Sequence, residues 1–268
     1  MKKQFIALAL ALTGLLFAAP QQAKAEPITV LSTQTGAILS QQIATFDSVT
    51  PGTFGSNITV SGLLAGDRLV GIDRRPINGL IYGVAQNGTV GRIYTINATT
   101  GAASLVSTLS VPLTGTNFGV DFNPTVDRLR VVSNLDQNLR INVDTGATLV
   151  DGTLAYAVGD PNQGANPNIT AVAYSNNFAG ATTTVLRDMD ASLDILAIQN
   201  PPNDGTLTNA LQLAPLVTDI GAYDISGLTG TPYWAFVDAS GRFSNLYTFS
   251  MGGLTLIGRI GNLDGFLV

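Results

Sequence analysis

The stretch Gly71–Val84, GIDRRPINGLIYGV, returns 48 residues later as Gly119–Val132, GVDFNPTVDRLRVV. Both read glycine, β-branched residue, aspartate, two variable residues, proline, three variable residues and an apolar run ending in valine. A fixed period of this length marks a repeat architecture, in which each unit is one small sheet that can bury its faces only against its neighbours. A second repeated element follows the first. Arg92–Val106, RIYTINATTGAASLV, reads as strand, tight turn, strand, with counterparts at Leu139–Val150 and Leu246–Gly258 and looser ones at Ile43–Val60 and Leu193–Leu207. Gly101, Gly146 and Gly205 stand where such turns need positive φ. The four later hairpins each follow a leading segment, at Gly71–Val84, Gly119–Val132, Ala171–Arg187 and Gly221–Asp238. In the last two the Ile-Asp and Val-Asp of the first copies are replaced by Ala173-Tyr174 and Tyr223-Asp224.

Between frequent Gly, Asn and Asp, short runs of Val, Ile, Leu and Thr alternate apolar with polar, and no window after residue 25 carries a helical apolar stripe. The expected fold is therefore all-β, a single β-propeller domain over 26–268 with approximate units 28–64, 65–113, 114–167, 168–216 and 217–268. Five blades are expected, or six if strands from the two termini combine. A β-sandwich or a β-solenoid is the alternative.

The chain opens with Met1-Lys2-Lys3, an apolar run Phe5–Ala19 and then Ala23-Lys24-Ala25, the pattern of a secretory signal peptide cut after Ala25. The run is 15 residues, short of the roughly 20 that span a bilayer. A periplasmic or extracellular location is expected. Cleavage would remove Lys2, Lys3 and Lys24, the chain's only lysines, leaving ten arginines against 18 carboxylates. Such an acidic, lysine-free surface argues against nucleic acid or an anionic membrane as partner. With no cysteine, no disulfide can staple the fold.

After residue 25 the chain has no His, Cys or Lys. That excludes a Ser-His-Asp triad, a cysteine nucleophile, a lysine Schiff base and a His-ligated metal. Carboxylate chemistry on a polymer remains open, but no local spacing nominates a pair of aspartates. The repeated Asp73 and Asp121 are the first ligand-binding candidates, since equivalent positions on successive blades can converge on the channel. The opposing interpretation is that each carboxylate accepts backbone N–H groups at its turn. Arg128 and Arg130 share one side of a strand and form a candidate clamp for a carboxylate or phosphate, or else pair with Asp121, Asp127 or Asp136 on a solvated face. Tyr233-Trp234 is an adjacent aromatic pair pointing to opposite faces, so Trp234 is a candidate exposed platform. In Gly159–Asn168, GDPNQGANPN, the oxygens of Asp160, Asn162, Asn166 and Asn168 are candidate ligands for Ca²⁺, with Asp151 upstream as a second carboxylate. Gly164 at the fifth loop position and Ala171 at the twelfth depart from an EF-hand, and the opposing interpretation is a loop held by Asx turns. No cofactor is required.

The segments GIDRRPINGLIYGV, RIYTINATTGAASLV, FGVDFNPTVDRLRVVS, NLRINVDTGATLVDGTLAY and GDPNQGANPNITAVAYSNNF together resemble the bacterial secreted domain-of-unknown-function family numbered 4394, over about residues 30–260. FNPTVDRLRVVS and GANPN are the most specific of them. The resemblance implies an extracytoplasmic location and repeated β structure, and it carries no activity onto any residue. The expected function is that of a secreted, non-enzymatic binding or scaffolding protein whose partner is an extracellular protein or glycan. The alternatives are an aspartate- or cation-dependent hydrolase or lyase on an extracellular polymer, and a self-assembling surface or matrix protein.

Overall fold

The computed structural model describes residues 25–34, 40–213, 221–237, 243–250, 253–264 and 266–267. All of the expected leader but Ala25 lies outside them. Strands β1 (Pro27–Gln34), β2 (Ser40–Asp47) and β3 (Phe54–Thr59) begin the first sheet. The second sheet is β4 (Arg68–Arg74), β5 (Ile81–Asn87), β6 (Val90–Ile96) and β7 (Ala103–Thr108), an antiparallel meander in chain order. The third repeats it with β8 (Phe118–Asn123), β9 (Arg128–Ser133), β10 (Asn138–Ile141) and β11 (Thr148–Val150). A short β12 (Ala155–Tyr156) crosses to pair in parallel with the outer strand of the fourth sheet. That sheet comprises β13 (Ile169–Tyr174), β14 (Leu186–Asp190), β15 (Ile195–Gln199) and β16 (Thr206–Gln212), with a 3-10 turn at Pro202–Asp204. The fifth comprises β17 (Gly221–Ile225), β18 (Pro232–Val237), β19 (Phe243–Ser250) and β20 (Gly253–Asp264).

These five sheets are the blades of a β-propeller. Each leading segment of the sequence is the inner pair of strands of a blade, and each repeated hairpin is the outer pair. The inner strands β4, β8, β13 and β17 stand side by side around the axis. Five apolar clusters lie in the five gaps between blades. Leu31, Ile43, Leu69 and Tyr94 join the first blade to the second, and Val84, Phe118 and Leu129 join the second to the third. Val132, Ile169 and Leu207 join the third to the fourth, and Met189, Tyr223 and Trp234 join the fourth to the fifth. Phe46, Tyr233 and Leu246 join the fifth back to the first. The ring closes on itself, which neither a sandwich nor an open solenoid does.

Closure also explains why the first hairpin has no leading segment. The last strand, β21 (Phe266–Leu267), pairs antiparallel with β1 at Ser32 and Thr33. The order across the first blade is β21-β1-β2-β3. Strand β1 therefore holds the position of β5, β9, β14 and β18, second from the axis, and the inner position is supplied from the far end of the chain.

The Gly-x-Asp motif is dictated by crowding at the axis. A Cβ on Gly71 would stand 2.5 Å from Val120 of the next blade, and one on Gly119 would stand 2.8 Å from the backbone N of Val172. Glycine lets neighbouring inner strands approach this closely. Gly119→Ala meets backbone rather than a flexible side chain, so it is expected to cost about 1–3 kcal/mol, read as a lower urea midpoint at unchanged m-value. At the hairpins, Gly101 and Gly146 have φ of 71° and 75°. Asn97 and Asn142 open these turns by accepting, through side-chain oxygens, the N–H groups of Thr99 and Asp144 at 2.8 and 3.1 Å.

Candidate functional site

Three aspartates meet at one mouth of the channel, where the inner strands end. Asp73 comes from β4, Asp121 from β8 and Asp224 from β17, with carboxylate oxygens all within 4.8 Å of one another. Strand alternation delivers them, since each stands near the C-terminal end of its inner strand and points to the axis.

Each carboxylate also bridges blades. Asp73 Oδ2 accepts the backbone N–H of Phe122, in the next blade, at 2.7 Å, and its Oδ1 accepts that of Arg74 at 2.5 Å. Asp121 Oδ2 accepts the backbone N–H of Tyr174, again one blade on, and its Oδ1 accepts from Asn177 Nδ2 at 3.2 Å. Asp224 Oδ1 accepts its own strand's Ile225 N–H at 2.6 Å, and among the described residues no donor reaches its Oδ2.

Burial raises all three pKa values. For Asp121, burial pushes the value well up, and the neighbouring charge of Asp73 pushes it further. Asp73 is raised by burial and partly held down by the hydrogen bond it takes from Asp121. The two thus share a proton, with Asp121 as the protonated partner. Asp224 opens to the cavity, but protein surrounds it on the other sides. Burial, then the charge of Asp73, raises it to about 7.

Above the trio lies a cavity of about 470 Å³ between the first, second and fifth blades. Ile28, Val30, Ile72 and Ile225 give it apolar walls, and Asp73 and Asp224 face into it. At its rim the Glu26 carboxylate accepts from Tyr233 Oη at 2.7 Å, Thr229 Oγ1 at 3.0 Å and the Ser226 hydroxyl. Arg75, also on the rim, is committed elsewhere. It forks to Asp127 and Asp144, with contacts of 2.6–2.9 Å, and its guanidinium lies 5.5 Å from the Tyr82 ring centre. Those contacts raise its pKa, the hydrogen bond to Asp127 most, and the same pairing lowers that of Asp144. A smaller void of about 100 Å³ continues down the channel past Gly71, Gly119 and Gly221.

Of the remaining sequence candidates, Trp234 lines the cavity as a buried residue and the others lie away from it. Arg130 is 1% exposed. It donates to Asp151 at 2.6 Å, Asn138 at 2.7 Å, Asn203 at 2.9 Å and Tyr174 Oη at 3.2 Å, tying the third blade to the fourth. It is therefore neither a ligand clamp nor part of a solvated face, because it is buried and all three of its nitrogens already donate to protein. Arg128 is exposed and donates to the Asp127 carbonyl at 2.8 Å. Trp234 is 1% exposed and stacked 4.8 Å from Tyr223, and Tyr233 is buried as well, so no exposed platform exists. Inner-blade strands are covered on both faces, which defeats the inference from alternation.

In the Asn-rich loop, Asp160 Oδ1 accepts the Asn162 N–H at 2.8 Å, and Gln163 Oε1 accepts that of Gly159 at 2.8 Å. Asn166 Nδ2 reaches the Pro167 carbonyl at 3.5 Å, and the Asn168 carbonyl accepts from Ala191. Asp160, Asn162, Asn166 and Asn168 do not line the mouth cavity. Asp151 does not fold onto the loop either, since Arg130 and Arg140 hold both its oxygens. Sequence reasoning missed Asp224 and Glu26. The signal for Asp224 was there: Tyr223-Asp224 stands where Ile72-Asp73 and Val120-Asp121 stand.

Solved structures similar to this chain are propeller-like at low identity. The Dos1 propeller matches 84% of the chain and 56% of its own at 11% identity and a TM-score of 0.43. A Bacteroides thetaiotaomicron protein of unknown function matches 89% and 59% at 16% identity and a TM-score of 0.48. TolB from Acinetobacter baumannii matches 89% and 53% at 12% identity and a TM-score of 0.46. The chain spans less than two thirds of each of these relatives. No curated protein matches it. A family model described as a domain of unknown function matches residues 42–266, and the chain belongs to that family, DUF4394.

Proposed function

We propose that this chain is a secreted, non-enzymatic binding protein that takes its ligand in the cavity at the channel mouth. The observation that carries the reading is the arrangement there of an open, largely apolar cavity with one accessible carboxylate, Asp224, whose second oxygen meets no donor among the described residues. Concave, mostly apolar pockets with a few convergent polar groups are where propellers and other folds bind ligands. The other two aspartates have ordinary work: they pin neighbouring blades through backbone N–H groups and share a proton. A thermal-shift screen of extracellular peptides and glycans against wild type and Asp224→Ala tests the reading. A stabilising ligand whose shift vanishes in the variant is expected, and ligands that stabilise both equally would place binding elsewhere.

A second reading, hydrolysis by a carboxylate pair, draws on the Asp224 pKa of about 7 beside Asp73, since a general acid needs such a value. Turnover of a polysaccharide that disappears in Asp73→Asn would favour it over binding.

For Ca²⁺, the binding reading expects little. The ion takes about 6–8 oxygens, whereas backbone and side-chain donors already occupy Asp73 and Asp121. The melting temperature in EGTA and in excess Ca²⁺ should agree within about 1 °C, because only a ligand that prefers the folded state shifts it. A clear rise with Ca²⁺ would return the loop around Asp160 to the search.

A further inference from the structure

The cavity has the shape of a missing strand. In the four complete blades the second strand is covered by an inner strand along its length: Phe118–Asn123 pairs with Arg128–Ser133, and Gly221–Ile225 with Pro232–Phe236. Those second strands are buried, as in Ile81–Ala85, Leu129–Ser133 and Tyr233–Val237. In the first blade, among the described residues, β21 covers Ser32 and Thr33 of β1. Among the described residues nothing pairs with the inner edge of Pro27–Val30, where Pro27 is exposed and Ile28 and Thr29 are half-buried. That edge is one wall of the cavity. The side walls are the flanking inner strands, and their residues facing the gap, Ile72 and Ala222, are only half-buried.

The aspartates give the same answer independently. Asp73 and Asp121 each accept a backbone N–H from the inner strand of the next blade. For Asp224 the next blade is the first, where the described part of the inner strand, Phe266–Leu267, lies opposite Ser32 and Thr33. Among the described residues no such N–H reaches its Oδ2, and the residue lines the cavity.

We propose that this slot is a strand-addition site: an extended segment of another polypeptide lies antiparallel along Pro27–Val30, in line with β21, and gives a backbone N–H to Asp224 Oδ2. The proposal rests on the reading of the cavity as the ligand site and names the ligand class as an extended peptide. Main-chain hydrogen bonds to the open edge supply affinity, and side chains on both faces of the added strand supply selectivity. The right occupant carries apolar side chains at alternate positions with small or polar ones between, as β8 does. It then fits between Ile72 of the second blade on one side and Ala222 and Asp224 of the fifth on the other. An unpaired edge of this kind is otherwise a template for unwanted pairing, and recessing it in the ring mouth leaves it reachable by a single strand only.

The test is amide hydrogen exchange on the full chain, with a capped peptide of the β8 sequence FGVDFN as probe, since that segment fills the equivalent slot of its own blade. In the free protein the amide of Thr29, the one N–H of Pro27–Val30 that faces the slot, should exchange fast while those of Ile43–Phe46 in β2 stay slow. Saturating probe should slow the former by at least about tenfold. A probe N-methylated at alternate residues should not protect, and Asp224→Ala should weaken binding several-fold. Slow exchange at Thr29 in the free monomer, or no protection at about 1 mM probe, would overturn the proposal. So would protection that appears only in a dimer and is lost on dilution, because the occupant would then be a second copy of this chain. A glycan or small molecule that stabilises wild type but not Asp224→Ala, while leaving the Thr29 amide fast, would sink strand addition and leave the binding reading standing.

Discussion

Arg130→Met is expected to lower stability by about 3 kcal/mol, the lower end for breaking a buried ion pair, and the melting temperature by roughly 6–12 °C for a domain of this size. The side chain is buried at the junction of the third and fourth blades, and its four hydrogen-bonding partners come from both. Removing the guanidinium leaves the buried Asn138 Oδ1 without its donor, releases Asn203 in the Pro202–Asp204 turn and frees Tyr174 Oη. An unsatisfied buried acceptor costs about 1–3 kcal/mol by itself. The loss stops short of the maximum because Asp151 keeps its two-point contact with Arg140, at 2.6 and 2.8 Å. Methionine preserves most of the volume, so the effect reads the polar network rather than a cavity. Arg128→Ala, on the same side of β9 but exposed, is the control and should stay within about 0.5 kcal/mol. Urea melts of both variants decide it, and equal losses would mean that the network adds nothing beyond surface pairing.

The contrast between these two arginines shows how far the sequence could be read. Alternation correctly puts them on one side of the strand, and it is silent on depth. In a propeller one end of a strand can reach solvent while its middle lies between two blades, so Arg128 and Arg130 part company two residues apart. The ring itself was legible because the Gly-x-Asp motif and the Asn-x-x-Thr-Gly turns recur with a period set by blade size. Asp73 and Asp121 were legible for the same reason. Asp224 was harder, because its blade carries Gly-Ala-Tyr-Asp where the others carry Gly-Ile-Asp and Gly-Val-Asp. The unfilled slot was not legible at all. It arises from the pairing of β1 with β21, more than two hundred residues apart, and local pattern carries no register between such segments. In the Asn-rich loop pattern alone does not decide between turn and cation site, for turn-forming Asn and Asp side chains satisfy neighbouring backbone groups with the same oxygens a cation would need.

Stability should fall as pH rises from about 4 toward neutrality, the reverse of the usual acid lability. Asp73, Asp121 and Asp224 are all raised by burial, and Asp188 is raised well above the ordinary carboxylate range for the same reason. Asp188 is fully buried on β14, and neither of its oxygens has a hydrogen-bond partner among the described residues. Over this window the unfolded chain releases these protons before the folded chain does, in which Asp73 and Asp121 hold one between them. Each such group therefore contributes stability at low pH that is lost as pH climbs through its folded value, at about 1.4 kcal/mol per pH unit while the two states differ by one proton. Asp144, lowered by its hydrogen bonds to Arg75, works in the opposite sense, but only below the ordinary carboxylate value. Asp121→Asn isolates the main term. Its amide oxygen can accept the Tyr174 N–H and its NH₂ can donate to Asp73, reproducing the protonated carboxyl without a titration. The variant should match wild type near pH 4.5, exceed it near pH 7.5 and show a shallower slope between, as urea midpoints at the two pH values will report. Asp188→Asn should flatten the profile independently, since it lies on a different strand and its pKa owes nothing to the trio. A wild-type profile that instead rises toward pH 7.5 would mean that these carboxyls are ionised in the folded protein, and a cation at the channel mouth would then be the first explanation to test.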